Sequence, residues 1–145
     1  MSQAQLPQPR TDVVDVIVRA RRVAVVAFDV DGTLTDGRIH IGPDGEAMKS
    51  FYVRDGLGLA LLRRAGLHCA FVTARESAIV ERRAAELGIE EVMQGVARKG
   101  EALARLAQRA GVTLEQVAFM GDDWPDLPAL RRAGHFDFSS STRED

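Results

Sequence analysis

The chain has 145 residues, of which 46% are hydrophobic and 28% are charged, and its formal net charge is −2. This length and composition fit one globular domain, 1–145, with a hydrophobic core. They do not favour nucleic acid or anionic membranes as partners, and no apolar run could span a bilayer. The single cysteine, Cys69, excludes an internal disulfide and fits a reducing environment, so we expect a cytoplasmic protein.

The first half of the chain predicts a helix, a strand and a hairpin. Residues 1–10 are polar and carry no signal-peptide pattern, so we expect a loose tail. Hydrophobic periodicity then predicts a helix at 13–21 and a buried strand at 23–28. The alternating run 38–41 and the Gly-Pro-Asp-Gly turn after it predict a projecting β-hairpin over 37–53, with 48–53 as its return strand. An ordinary surface loop is the alternative for this segment.

The second half alternates between helices and strands. The predicted helices are 57–65, 77–87, 99–110 and 125–132, and the predicted strands are 68–72, 91–94 and 117–120. Leu57, Leu61, Leu62 and Ala65 have helical spacing in the first of these helices. The predicted core face of the third is Leu103, Leu106, Ala107 and Ala110. This alternation predicts right-handed βαβ units in an α/β fold, with a doubly wound parallel sheet and no room for a cap domain.

Two aspartates, Asp29 and Asp31, directly follow the first predicted strand, at the end where open α/β sheets bind ligands. Because two carboxylates leaving a buried strand repel each other, we expect a hard divalent cation such as Mg²⁺ there. Asp29 could attack phosphorus and form an aspartyl phosphate, while Asp31 could act as general acid and base. The alternatives are a solvated turn and a calcium loop. An EF-hand, however, needs Gly at the sixth loop position, whereas Gly32 is the fourth.

Other polar residues should meet these two aspartates, because the carboxyl ends of parallel strands share one edge of the sheet. They are Thr73, Lys99, Asp122 and Asp123. Thr73 and Lys99 could hold phosphoryl oxygens. Asp29, Asp122 and a backbone carbonyl near Asp31 could hold Mg²⁺. Taken singly, Thr73 could be a strand-end cap, Lys99 a solvated lysine and Asp123 a helix N-cap.

In this order, the stretches 29–33, Thr73, Lys99 and 121–123 resemble the four motifs of the haloacid dehalogenase superfamily of phosphohydrolases. The stretches 36–37, 51–56 and 121–126 resemble in particular its 3-deoxy-D-manno-octulosonate 8-phosphate phosphatases. The resemblance covers roughly 23–134. It implies a Mg²⁺-dependent phosphatase of lipopolysaccharide sugar synthesis that acts on this phosphorylated sugar acid. It also implies a homo-oligomer, typically a tetramer, joined through the hairpin at 37–53.

The resemblance further implies a role for each motif residue. Asp29 would be the nucleophile, Asp31 the acid and base, and Asp122 a metal ligand. The implied substrate contacts are Asp31, Tyr52, Val53, Arg54, Asp55, Gly56, Arg75, Arg83 and Lys99. Guanidinium groups suit a substrate that carries both phosphate and carboxylate. Arg83 could equally be a solvated helix residue beside Glu86.

Two departures from the family pattern are visible. Ala74 stands where relatives usually have Gly, and the chain ends soon after Gly134, with Phe136 and Phe138 as a possible short edge strand. We therefore expect a shortened chain that keeps the motifs and loses part of its substrate closure. Three other functions stay open: a receiver-type signalling module, a non-catalytic oligomerisation domain, and a phosphatase of a nine-carbon sialic-type sugar phosphate. Thr73, where a receiver domain would have Asp, argues against the first.

Overall fold

The structure is a computed structural model that describes residues 13–138, with side chains described from 15 to 134. The predicted N-terminal tail at 1–10 and the polar residues 139–145 lie outside the described part. The helices are α1 Val13–Ala20, α2 Val53–Arg64, α3 Ala78–Leu87, α4 Lys99–Ala110 and α5 Leu127–Leu130. The strands are β1 Val25–Phe28, β2 His40–Gly42, β3 Gly45–Met48, β4 His68–Val72, β5 Glu91–Met93, β6 Val117–Gly121 and β7 His135–Phe138.

Five of these strands form a parallel sheet in the order β5-β4-β1-β6-β7, as the alternation of elements predicted. Phe28 at the end of β1 lies beside Phe71 of β4 and Met120 of β6. The chain winds outward from β1 in one direction and then in the other, so the topological switch point lies between β1 and β6. Ligands of doubly wound folds bind at this position.

Helices cover both faces of the sheet and bury two hydrophobic clusters. One cluster joins Leu103 and Leu106 of α4 to Phe119 of β6, and it also includes Leu130 of α5. The other joins Leu59 of α2 and Val80 and Ala84 of α3 to Phe71 of β4. Among residues 13–138 no helix is long and apolar enough to cross a bilayer.

The predicted hairpin is present, but its predicted return strand at 48–53 is wrong. Gly42 pairs with Gly45, so the turn holds only Pro43 and Asp44, and β3 begins directly after it. Beyond β3, Phe51 forms an isolated antiparallel bridge with Thr35, and Val53 is already the first residue of α2. Because the turn is this short, the return strand lies earlier in the sequence than predicted. Between β1 and α2 the described chain contains this hairpin and no cap domain.

The apolar residues that have helical spacing in α2 do not mark its buried face. Leu57 is 61% exposed, Leu61 and Ala65 are also exposed, and Leu62 is half-buried. The helix instead packs through Gly56 and Leu59, which are buried. Leu61 and Ala65 line an apolar groove of about 550 Å³ that also includes Leu34 and Met120. A repeating apolar stripe indicates a helix, but two stripes on one helix do not show which of them faces the sheet.

The predicted core face of α4 is confirmed except at one residue. Leu103, Leu106 and Ala107 are buried, whereas Ala110 at the end of the helix is exposed. A left-handed Gly111 caps this helix, as predicted.

Candidate active site at the carboxyl edge of the sheet

The loop after β1 is held in a tight turn that fixes Asp29 at the end of the strand. The backbone N–H of Asp29 continues the sheet by donating to the carbonyl of Met120 at 2.9 Å. The carbonyl of Val30 accepts the backbone N–H groups of Thr33, Leu34 and Thr35. The buried carboxylate of Asp29 therefore sits on rigid backbone.

Gly32 allows the loop after β1 to pass against the loop after β6. Its φ is +95°, and a Cβ built on it would lie 2.0 Å from Oδ2 of Asp122. Any other residue would collide with that carboxylate and would be strained as well. The hydroxyl of Thr33 donates to Oδ1 of Asp122 at 3.1 Å. The two loops are thus locked together across the switch point.

Asp29, Lys99, Asp122 and Asp126 form what we call the inner cluster. Lys99 reaches from the first residue of α4, where its side chain is buried, and its Nζ lies 2.6 Å from Oδ1 of Asp29. The same ammonium also donates to Oδ1 of Asp126. Carboxylate oxygens of the three aspartates lie within 4.8 Å of one another. The structure therefore brings together the predicted residues Asp29, Lys99 and Asp122.

Asp126 was missed by the sequence reasoning. Its side chain is fully buried, and its Oδ2 accepts the backbone N–H groups of Asp122 at 3.0 Å and Asp123 at 3.1 Å. A signal was available, because Asp126 follows Asp122 by four residues in one short loop. Asp123, in contrast, accepts the N–H of Trp124 at 2.7 Å, which matches the helix-cap interpretation.

The inner cluster holds three carboxylates against one ammonium. Burial raises the pKa of Asp29 to about 7, although Lys99 opposes this shift. Burial also raises the pKa of Asp122, against the hydrogen bond from Thr33. Burial alone would lower the pKa of Lys99, but Asp29 and Asp126 outweigh it and raise that pKa, so the amine stays charged.

This donor set fits a hard divalent cation. Its ligands would be carboxylate oxygens, which Mg²⁺ prefers, and the cluster lacks positive charge. Asp126 is already engaged by Lys99 and two backbone N–H groups, so Asp29 and Asp122 are the better ligands.

Asp31, Glu46, Lys49 and Arg75 form a second group, which we call the outer cluster. Nζ of Lys49 lies 2.5 Å from Oδ1 of Asp31 and 2.8 Å from Oε1 of Glu46. Arg75 approaches Oδ2 of Asp31 at 3.9 Å and Oε1 of Glu46 at 3.8 Å. The hydroxyl of Ser77, the N-cap of α3, donates to Oε2 of Glu46. The sequence reasoning selected Asp31 and Arg75 but missed Lys49 and Glu46.

The outer cluster balances its own charge, with two carboxylates and two cations. Burial alone would raise the pKa of Glu46, but hydrogen bonds from Lys49 and Ser77 outweigh it and lower that pKa. Burial alone would lower the pKa of Lys49, but hydrogen bonds to Asp31 and Glu46 raise it. Both groups are therefore held in their charged forms.

The remaining predicted residues belong to neither cluster. Thr73 directly follows β4 and is buried, with its N–H donating to Met93 of β5. Arg54 and Asp55, in the first turn of α2, line the apolar groove beside Thr33. Tyr52 and Val53 are exposed, and Val53 is 85% exposed.

Arg83 is not brought to either cluster by its described contacts. It pairs with Glu86 at 3.4 Å, and its guanidinium lies 5.7 Å from the ring centroid of Phe51. It also packs on Gly56, whose Cβ would lie 2.9 Å from its Nη2. The pair with Glu86 fits the helix-surface alternative for Arg83, but the side chain is only 25% exposed and packs on Phe51 and Gly56.

A comparison with family models assigns the chain to a known family. The model of the haloacid dehalogenase-like hydrolases matches residues 46–134 of this chain. The chain belongs to this family.

Individual relatives narrow the similarity within the family. The 3-deoxy-D-manno-octulosonate 8-phosphate phosphatase KdsC of Haemophilus influenzae is 46% identical over 116 residues, which cover 80% of this chain and 64% of that protein. KdsC of Escherichia coli K12 is 38% identical over 120 residues, covering 83% and 64%.

A crystal structure of the Moraxella catarrhalis phosphatase with magnesium, phosphate and KDO has a TM-score of 0.80 at 45% identity. The matched region covers 83% of this chain and 69% of the Moraxella chain. The matched part of this chain thus spans about 64% of the length of the curated relatives.

Proposed function

We propose that this chain is a Mg²⁺-dependent phosphomonoesterase that hydrolyses a phosphorylated sugar acid, specifically 3-deoxy-D-manno-octulosonate 8-phosphate. The products would be the free sugar acid and inorganic phosphate. The inner cluster carries this proposal, because it joins a buried candidate nucleophile to a fixed cation and an incomplete cation site. The similarity to phosphatases that are named for this substrate supports the choice of substrate.

The reaction would proceed through an aspartyl phosphate. Lys99 holds Oδ1 of Asp29, which leaves Oδ2 to attack phosphorus as the bond to the sugar oxygen breaks. Asp31 would give its proton to the leaving sugar oxygen. It would then take a proton from the water that attacks the phosphorus of the intermediate, and this attack frees Asp29 and phosphate.

The surrounding residues would balance the phosphoryl charge. Thr73 and Lys99 would donate hydrogen bonds to phosphoryl oxygens, and one such contact is worth about 3–4 kcal/mol in the transition state. Mg²⁺, when held by Asp29, Asp122 and a backbone carbonyl near Asp31, would supply positive charge that lets a carboxylate approach an anionic phosphate. Asp126 would keep Lys99 and the loop of Asp122 in position.

Substrate recognition would use the cationic residues at the rim. Arg75 is half-exposed beside Asp31 and could bind the carboxylate or phosphate of the substrate. The stretch 52–56 and Arg83 would contribute contacts if a neighbouring subunit completes the site. Because the described chain has no cap domain over the site, this completion is part of the proposal.

A homotetramer joined through the hairpin at 37–53 would bring such a neighbour. Three hydrophobic side chains of the hairpin support an interface there, because Ile39, Ile41 and Met48 are exposed. A cytoplasmic location and a role in lipopolysaccharide synthesis complete the proposal. Light scattering of the purified protein measures the subunit count directly.

The function is tested by phosphate release from a panel of phosphorylated sugar acids, with Mg²⁺ and with chelator. We expect release that chelator abolishes, with the eight-carbon sugar acid preferred. Preference for a nine-carbon sugar phosphate would show that the proposed substrate is wrong, while the proposed hydrolysis mechanism would stand. No release from any phosphate ester would favour the non-catalytic oligomerisation domain.

A further inference from the structure

Lys49 is a buried cation that the proposed reaction does not yet use. It follows β3 in the hairpin, and its side chain is only 1% exposed, although lysine ordinarily stays in water. The chain has two lysines among its 19 cationic residues, Lys49 and Lys99, and both side chains are buried. Each of them contacts one aspartate of the Asp29–Asp31 pair.

The contacts of Lys49 tie Asp31 to two other elements. Lys49 holds Oδ1 of Asp31 and also Oε1 of Glu46, three residues earlier in the hairpin. Glu46 in turn accepts a hydrogen bond from the hydroxyl of Ser77 at the start of α3. Asp31 is therefore fixed from the hairpin, and the hairpin is fixed to the body of the domain.

We propose that Lys49 is a positioning residue that holds Oδ1 of Asp31, so that Oδ2 is the oxygen that exchanges a proton with the leaving group. This inference rests on the proposed phosphatase function. Because the Lys49 side chain is covered, it acts through Asp31 and not by touching the substrate. The hairpin then has a role in proton transfer as well as in any assembly.

Leaving-group dependence separates this role from a merely structural one. The nitrophenolate of 4-nitrophenyl phosphate leaves without protonation, whereas the sugar alkoxide of 3-deoxy-D-manno-octulosonate 8-phosphate needs a proton. We expect Lys49→Met to lower kcat/KM for the sugar phosphate about 100-fold or more, and for the aryl phosphate less than about tenfold. Lys49→Arg keeps the charge. Its ratio of kcat/KM for the sugar phosphate to kcat/KM for the aryl phosphate should therefore lie between the ratios of Lys49→Met and of the wild type.

The exposed cation Arg82 of α3 supplies the matched control, and Arg82→Met should leave both rates unchanged. Equal losses on the two substrates, or no loss on either, would overturn the role of Lys49. If Lys49→Met does not fold, Lys49→Gln takes its place, and a wild-type ratio of the two kcat/KM values in that variant would contradict the inference. A wild-type protein without Mg²⁺-dependent release would instead overturn the proposed function, and this inference with it.

Discussion

The inner and outer clusters contain similar charged groups but differ in their charge balance. Both contain one aspartate of the Asp29–Asp31 pair and one buried lysine. The inner cluster has three carboxylates for one lysine, whereas the outer cluster pairs two carboxylates with Lys49 and Arg75. The first therefore lacks positive charge, and the second balances its charge within the protein. Charge balance, more than residue type, distinguishes the proposed metal site from the ion-pair network around Asp31.

The choice of lysine in both clusters has a physical reason. A lysine ammonium is a compact point charge that can donate to two carboxylates from a narrow buried position, as Lys49 and Lys99 do. The planar guanidinium needs more space. Arg75 and Arg98, by contrast, are 45% and 79% exposed.

The largest expected effect is on the inner cluster, from Asp29→Asn. Loss of the nucleophile should lower phosphate release by about 10⁴-fold or more while the protein stays folded. Phosphate release and circular dichroism measure the two properties. Asp15→Asn, at an exposed residue of α1, is the control and should keep full activity. Retained turnover in Asp29→Asn would contradict the assignment of the nucleophile.

The second-largest effect is expected from Lys99→Met. Removal of one transition-state contact predicts a loss of about 10²–10³-fold in turnover. Leaving Asp29 and Asp126 without their partner should also lower the free energy of unfolding by about 3–5 kcal/mol. Denaturant unfolding and kinetics test both effects.

Arg98→Met is the matched control for Lys99→Met. Arg98 precedes Lys99, is 79% exposed and pairs only with Glu101 among the described ion pairs. Its loss should change stability by less than about 1 kcal/mol. Similar losses in the two variants would show that the buried contacts of Lys99 carry no special weight.

Asp126→Asn should weaken Mg²⁺ binding by about 10–100-fold, because Asp126 orients the loop of Asp122 without being free to bind the metal itself. Titration calorimetry measures this affinity. Asp123→Asn, which keeps a helix cap, is the control and should bind Mg²⁺ normally. Unchanged affinity in Asp126→Asn would mean that the loop holds its shape without this residue.

A pH series compares the two clusters without any mutation. The folded-state pKa of Asp29 is about 7, above its usual value of 3.8, so the metal-free native state holds a proton that the unfolded state releases. The free energy of unfolding should therefore fall as pH rises from about 4 to 7. Mg²⁺ should restore stability, and its effect on the unfolding temperature should be larger at pH 8 than at pH 5. An equal effect at both pH values would contradict an unbalanced inner cluster.

The smallest expected effect comes from the outer cluster, with Glu46→Gln. Lys49 keeps its contact with Asp31, so the free energy of unfolding should fall by only about 1 kcal/mol. The stabilisation by Mg²⁺ should not change, as thermal unfolding with and without the ion can measure. A lost Mg²⁺ response would show that the two clusters are coupled.

Much of the fold could be predicted from the sequence, because the central strands β1, β4 and β6 are largely apolar runs that end at a turn or polar residue. The site was predicted less completely. Asp29, Lys99 and Asp122 follow from their positions at strand and helix ends, which all meet at one edge of a parallel sheet. Asp126, Glu46 and Lys49 do not, because they reach the site from within a loop and a hairpin whose direction no periodicity specifies.

The sequence by itself determined the order of the strands and helices along the chain, the edge of the sheet where the candidate site lies, and the family. Local patterns suffice for these properties, since they depend on neighbouring residues along the chain. Only the tertiary structure decided which face of α2 is buried and which acid each lysine contacts. These properties depend on how distant segments pack, as when Asp122 fills the space that Gly32 leaves empty.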